Sequence, residues 1–146
     1  MGVNLGCLLL CGKELIPILG SIRFLGLFLG AGTASSVAQV AWPHVAPEHL
    51  AYSQYELGLG ASGAVNAVVA YNILSFPGRI IMVLMVAPMP AIIPGLVFLG
   101  RDCVGFASGD AADLNVAHMS GTAFGFAVWL LTARLRRGIP SMGFRF

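Results

Sequence analysis

The stretch LGLGASGAVNAVVAYNILSFP, residues 57–77, runs without a single charge and places one hydroxyl, Ser62, between Gly60 and Gly63. About 20 mostly apolar residues are what a helix needs to cross the hydrocarbon core of a bilayer. The stretch therefore reads as a membrane helix with a serine near one end. Ser62 is either a small residue that lets two helices touch or a nucleophile.

Composition supports the membrane reading. The 146 residues are 58% hydrophobic and 10% charged, with a mean hydropathy of +0.87. Soluble domains carry about 25% charged residues. The fold class expected is an all-α membrane protein, a polytopic helical bundle in contact with the lipid bilayer. The net charge is +2, and the scattered basic residues leave no footprint for a nucleic acid. Cys7, Cys11 and Cys103 form no CxxC or Cys/His metal spacing. His44, Glu48 and His49 are too few for a site and read as solvated loop residues. No cofactor or metal ion is expected. The N-terminus has neither the basic start nor the cleavage pattern of a signal peptide.

Five helices are expected over residues 1–19, 23–42, 58–76, 80–100 and 114–134, in one unit ending at 135, followed by a basic tail, 136–146. Charge follows the alternation. Lys13, Arg23, Arg79, Arg134, Arg136, Arg137 and Arg145 fall at one end; Glu48, Glu56, Asp102, Asp110 and Asp113 fall at the other, with Arg101. The positive-inside rule then orients the bundle. Pro88, Pro90 and Pro94 read as kinks within the fourth helix. The segments 43–56 and 101–113 read as loops rimming the acidic end. Gly26 and Gly30, and Gly121 and Gly125, are spaced as packing faces.

Polar groups inside a bilayer are functional suspects. Ser62 and His118 each lie about 7 Å in from the acidic end of their helices at 1.5 Å per residue. Equal depth permits contact, and a neutral imidazole is the usual base for a serine nucleophile. Gly60 and Gly63 bare the backbone N–H groups around Ser62, which near a helix start lack helical partners. Asn4 stands at similar depth on the first helix. Gly121 lets the last helix approach closely. No acidic partner stands out for His118: Asp113, five residues before it, is off its face. A two-residue dyad is expected.

These residues resemble the rhomboid intramembrane proteases. Gly60-Ala61-Ser62-Gly63 is similar to their GxSG motif, and Ala117-His118 with Gly121 and Gly125 to their AHxxGxxxG motif. Met1 with Asn4 fits the tail of their HMxxN motif. The GASGA form, the spacing from Asn4 to Gly20 and the Pro77-Gly78-Arg79-Ile80 turn look most like the mitochondrial presenilin-associated branch. The resemblance implies a serine endopeptidase that cleaves transmembrane segments of membrane proteins. Ser62 and His118 would be catalytic, and Asn4, Gly60 and Ser62 would form the oxyanion hole. Gly63, Gly121 and Gly125 would pack the helices, and the location would be the mitochondrial inner membrane, as a multi-pass protein. The family core has six helices, of which the second to sixth are expected here. Asn66 departs from the aromatic ring that many bacterial members set against the catalytic His.

Three alternatives stay open. One is an inactive rhomboid-like protein that binds membrane clients. Another is a fragment without activity. The third is a piece of a transporter, whose broken helices the three prolines imitate.

Overall fold

A computed structural model describes residues 2–46, 61–83, 87–108 and 112–138. In chain order it contains α1 (Gly2–Leu19), α2 (Ser21–Val45), α3 (Ser62–Ser75), β1 (Ile80–Val83), β2 (Ala87–Pro90), α4 (Ile92–Ser108) and α5 (Ala112–Gly138). Among the described residues, two helical stretches, Ser21–Val45 and Asn115–Ala133, are long and apolar enough to cross a membrane.

The helices alternate in direction. Gly20 makes the first reversal alone, at φ 80°, a backbone state that glycine adopts without penalty. On α2, Ser35 faces Gly63 of α3, while Gly32 faces Ala64 and Leu27 joins the cluster around Val68 and Tyr71. That order is antiparallel. On α5, Gly121 faces Gly63, Gly125 faces Ala67, and Thr132 meets Tyr71, so α5 runs parallel to α3. On α4, Asp102 meets His118 and Gly105 meets Asn115, again antiparallel to α5.

α3 is the hub. Gly63, Ala64, Val65, Ala67, Val68, Tyr71 and Asn72 are buried, and they cover somewhat more than half of the helix circumference, leaving Ser62, Asn66 and Ile73 on a half-buried face. Leu15 and Leu19 of α1, Leu27 and Ala31 of α2, and Ala67, Val68 and Tyr71 of α3 form the core. The outer helices turn large apolar side chains outward, among them Leu10, Ile22, Val37, Val97 and Val104. Such a coat suits lipid rather than water.

The expected fourth helix is corrected. Ile80–Val83 and Ala87–Pro90 pair as antiparallel strands, with Ile80 opposite Pro90 and Val83 opposite Ala87, and the helix covers Ile92–Ser108. Pro88 and Pro90 offer no N–H to a helical ladder and bias Ala87 and Met89 towards extended backbone. Pro94 falls in the first turn of α4, where its missing N–H costs nothing. Ala91 N–H donates to the Arg79 carbonyl at 2.8 Å, so the end of β2 lies beside the start of β1, near the end of α3.

A second correction follows from the first: Arg101–Ser108 is helix, not loop. Gly26 and Gly30 do not share a packing face either. A Cβ at Gly26 would meet open space, whereas one at Gly30 would press on the Phe124 ring at 2.9 Å.

Candidate active site

Ser62 is the first residue of α3. The Val65 N–H donates to the Ala61 carbonyl at 2.9 Å, the first bond of the ladder. The N–H groups of Ser62, Gly63 and Ala64 therefore have no acceptor inside the helix. They point out of its N-terminus, where the macrodipole favours negative charge.

The helix crossing beside Ser62 is unusually close. A Cβ on Gly121 would strike the Gly63 carbonyl, and one on Gly125 would strike the Ala67 carbonyl. A Cβ on Gly63 would lie 2.6 Å from Ser35 Cβ and 2.9 Å from the Ala117 carbonyl oxygen. Backbone thus meets backbone along α3 and α5. Ser62 precedes Gly63, and His118 follows Ala117. The two residues flank one crossing point, both half-buried. Among the described residues no hydrogen bond joins them.

His118 has a partner that sequence reading missed. Its Nδ1 lies 3.4 Å from Oδ1 of Asp102, whose side chain is 8% exposed against 24% for His118. The two-residue expectation rests on Asp113, the acid nearest in sequence, being off the face of His118. A membrane span counted from residue 80 leaves Asp102 in the loop that follows it. The prolines carried the missing signal: reading Pro94 as the first turn of a helix puts Asp102 ten residues inside it.

Asn4 makes no hydrogen bond to Ser62 or His118, but its height can be read. Asn72 of α3 donates from Nδ2 to Glu14 Oε2 of α1 at 2.9 Å. Asn4 lies ten residues before Glu14 and Ser62 ten before Asn72, so each stands about 15 Å from that bond along its helix. Gly60 lies outside the described residues, as do Glu48, His49 and Glu56. Asn66 is half-buried one turn below Ser62.

Ser35 is a further neighbour without a sequence signal. It is 4% exposed, presses on Gly63, and its Oγ has no hydrogen-bond partner among the described residues. Two other hydroxyls on α2 behave differently: Thr33 and Ser36 donate to carbonyls of their own helix at 2.9 Å. A shallow groove between α2 and α3, about 450 Å³, is lined by Phe28, Leu29, Val37 and Ala61, and so reaches the residue before Ser62.

Residues 1–135 match the profile of the Rhomboid domain family. The chain belongs to the rhomboid family. It is also 35% identical, over 81 residues, to "RHOMBOID-like protein 12, mitochondrial" of Arabidopsis thaliana. That match takes in 56% of this chain and 23% of the plant protein, so this rhomboid chain spans well under half of the relative's length. No solved structure matches it.

Proposed function

We propose that the protein is an intramembrane serine endopeptidase of the mitochondrial inner membrane that cleaves transmembrane segments of other proteins. One observation carries the reading. A serine at the open N-terminus of the central helix and a histidine on α5 flank the Gly63–Gly121 crossing, with an acid beside the histidine. The mitochondrial location rests on the plant relative's name.

In this mechanism Ser62 Oγ attacks the carbonyl carbon of the scissile peptide while His118 Nε2 accepts its proton. The tetrahedral oxyanion faces the N–H groups of Ser62 and Gly63, with the Asn4 amide at the same height. One such donor is worth about 2.7–4 kcal/mol of barrier. His118 then passes the proton to the leaving amine. Water attacks the acyl-enzyme, again through His118, and Ser62 is restored. A substrate helix hides its carbonyls in its own hydrogen bonds, so glycine or proline near the cleaved bond favours reaction.

The protein as its gene encodes it, reconstituted in liposomes with a labile transmembrane substrate, tests the reading. Cleavage is expected to vanish in Ser62→Ala and in His118→Ala, and a fluorophosphonate is expected to label Ser62. Cleavage that survives both substitutions would remove the protease reading and leave client binding in its place.

A further inference from the structure

We propose that Asp102 is a positioning residue for His118, so that the site works with three residues rather than two. The inference rests on the protease reading and adds to it. Three observations support it.

The first is burial. Asp102 lies in the second half of α4, its carboxylate almost wholly enclosed. An ionised carboxylate in an apolar bundle is costly unless something stabilises it, and such residues cluster where membrane proteins do chemistry. His118 is the partner it meets.

The second is which nitrogen it meets. An imidazole that donates from Nδ1 keeps its Nε2 lone pair. The contact is at Nδ1, at 3.4 Å. Nε2 is then the bare acceptor on the far edge of the ring, which is what the Ser62 proton requires. Without the carboxylate, the tautomer with its proton on Nε2 competes, and that form cannot act as the base. Once the proton arrives, the imidazolium sits beside a carboxylate in a low-dielectric setting that strengthens their attraction. At 3.4 Å the contact is longer than a normal N–H···O bond. Catalytic pairs are often long before substrate binds and tighten in the complex.

The third is the way α4 is held. One turn from the Asp102 contact, a Cβ on Gly105 would lie 2.6 Å from Asn115 Nδ2, and Asn115 is one turn before His118. Beside it, Trp42 of α2 packs on Phe106 with ring centroids 5.0 Å apart. The carboxylate is therefore presented by a helix pinned on both sides. The arrangement also supplies what Asn66 does not, a fixed neighbour for the imidazole.

The test compares Asp102→Asn and Asp102→Glu with the wild type in liposomes. Asp102→Asn is expected to lower kcat about 100-fold or more, in line with the loss of tautomer control in other serine hydrolases. KM should stay within about 2-fold, and fluorophosphonate labelling of Ser62 should slow in step with kcat. Asp102→Glu is expected to recover kcat to within about 10-fold of wild type, because it restores the acceptor. A kcat for Asp102→Asn within about 3-fold of wild type overturns the proposal. An independent measurement does not depend on Asp102→Asn: ¹⁵N NMR of the wild type, with His118 identified by its loss in His118→Gln, is expected to show the proton on Nδ1. A proton on Nε2 overturns the proposal, and it decides alone if Asp102→Asn does not fold. Should Ser62→Ala cleave like wild type, the protease reading falls, while the tautomer measurement still reports whether Asp102 holds the ring.

Discussion

Two polar clusters stand about 15 Å apart along α3, one at each end, and they are built on opposite plans. At the C-terminal end, Glu14 accepts from Asn72 at 2.9 Å and pairs with Arg79 at 2.9 Å, while Arg79 also lies over the Phe76 ring. Nearby, Tyr71 and Thr132 share a hydrogen bond of 2.9 Å between α3 and α5. Each of these groups meets another. At the N-terminal end, among the described residues, Ser62 has no bond to His118, three N–H groups have no acceptor within α3, and the Ser35 hydroxyl is buried without a partner. Saturated polar groups tie helices together. Groups kept short of partners, in one place and with matched chemistry, are what a reaction needs. The comparison separates Asn72 from Ser62, although both are polar residues of one buried helix.

The largest effect expected is on the crossing that creates the second cluster. Gly121→Ala would drive a methyl group into the Gly63 carbonyl, backbone against backbone, where no side chain can swing away. Overpacking of this kind typically costs about 1–3 kcal/mol and sometimes more; the upper end is expected here. Reversible denaturation in mixed micelles should show it, and cleavage should fall with it because Ser62 and His118 part together. If Gly121→Ala keeps wild-type stability and rate, the close crossing is not what aligns the site.

Glu14→Ala is expected to act on the other cluster alone. It strips the Asn72 amide of its acceptor inside the bundle, at a cost of about 1–3 kcal/mol. The exposed half of Arg79 can take water instead, so its share is small. Stability should drop while kcat stays within about 2-fold of wild type. A kcat lost in step with Ser62→Ala would erase the division between the two ends. Tyr71→Phe should cost less, near the ~0.6 kcal/mol average for hydrogen bonds between membrane helices.

What sequence reading could reach follows the same division. The crossing was legible because its residues carry their own signals: glycines at four-residue spacing, and a serine and histidine at equal depth on uncharged helices. Contacts that depend on where a helix begins were not legible. A 20-residue span counted from Ile80 takes in β1 and β2 and leaves Asp102 in a loop, since hydropathy does not distinguish an apolar strand from an apolar helix. The two prolines in β2 and the one in α4 decide between them by their missing N–H groups. Glu14 takes its meaning only from Asn72 and Arg79, which lie 58 and 65 positions later in the chain.

The one effect expected in the stabilising direction lies at Ser35. Its Oγ contributes no hydrogen bond among the described residues, and a buried hydroxyl without a partner costs about 1–3 kcal/mol. Ser35→Ala removes that cost but leaves the Cβ, which already lies 2.6 Å from where a Cβ on Gly63 would sit. Packing against α3 is therefore kept. Stability should hold or rise by about 1 kcal/mol in the same micelle titration. A loss of that size instead would mean the hydroxyl has a partner after all, and that both ends of α3 are saturated. The contrast between them would then rest on Ser62 and His118 alone.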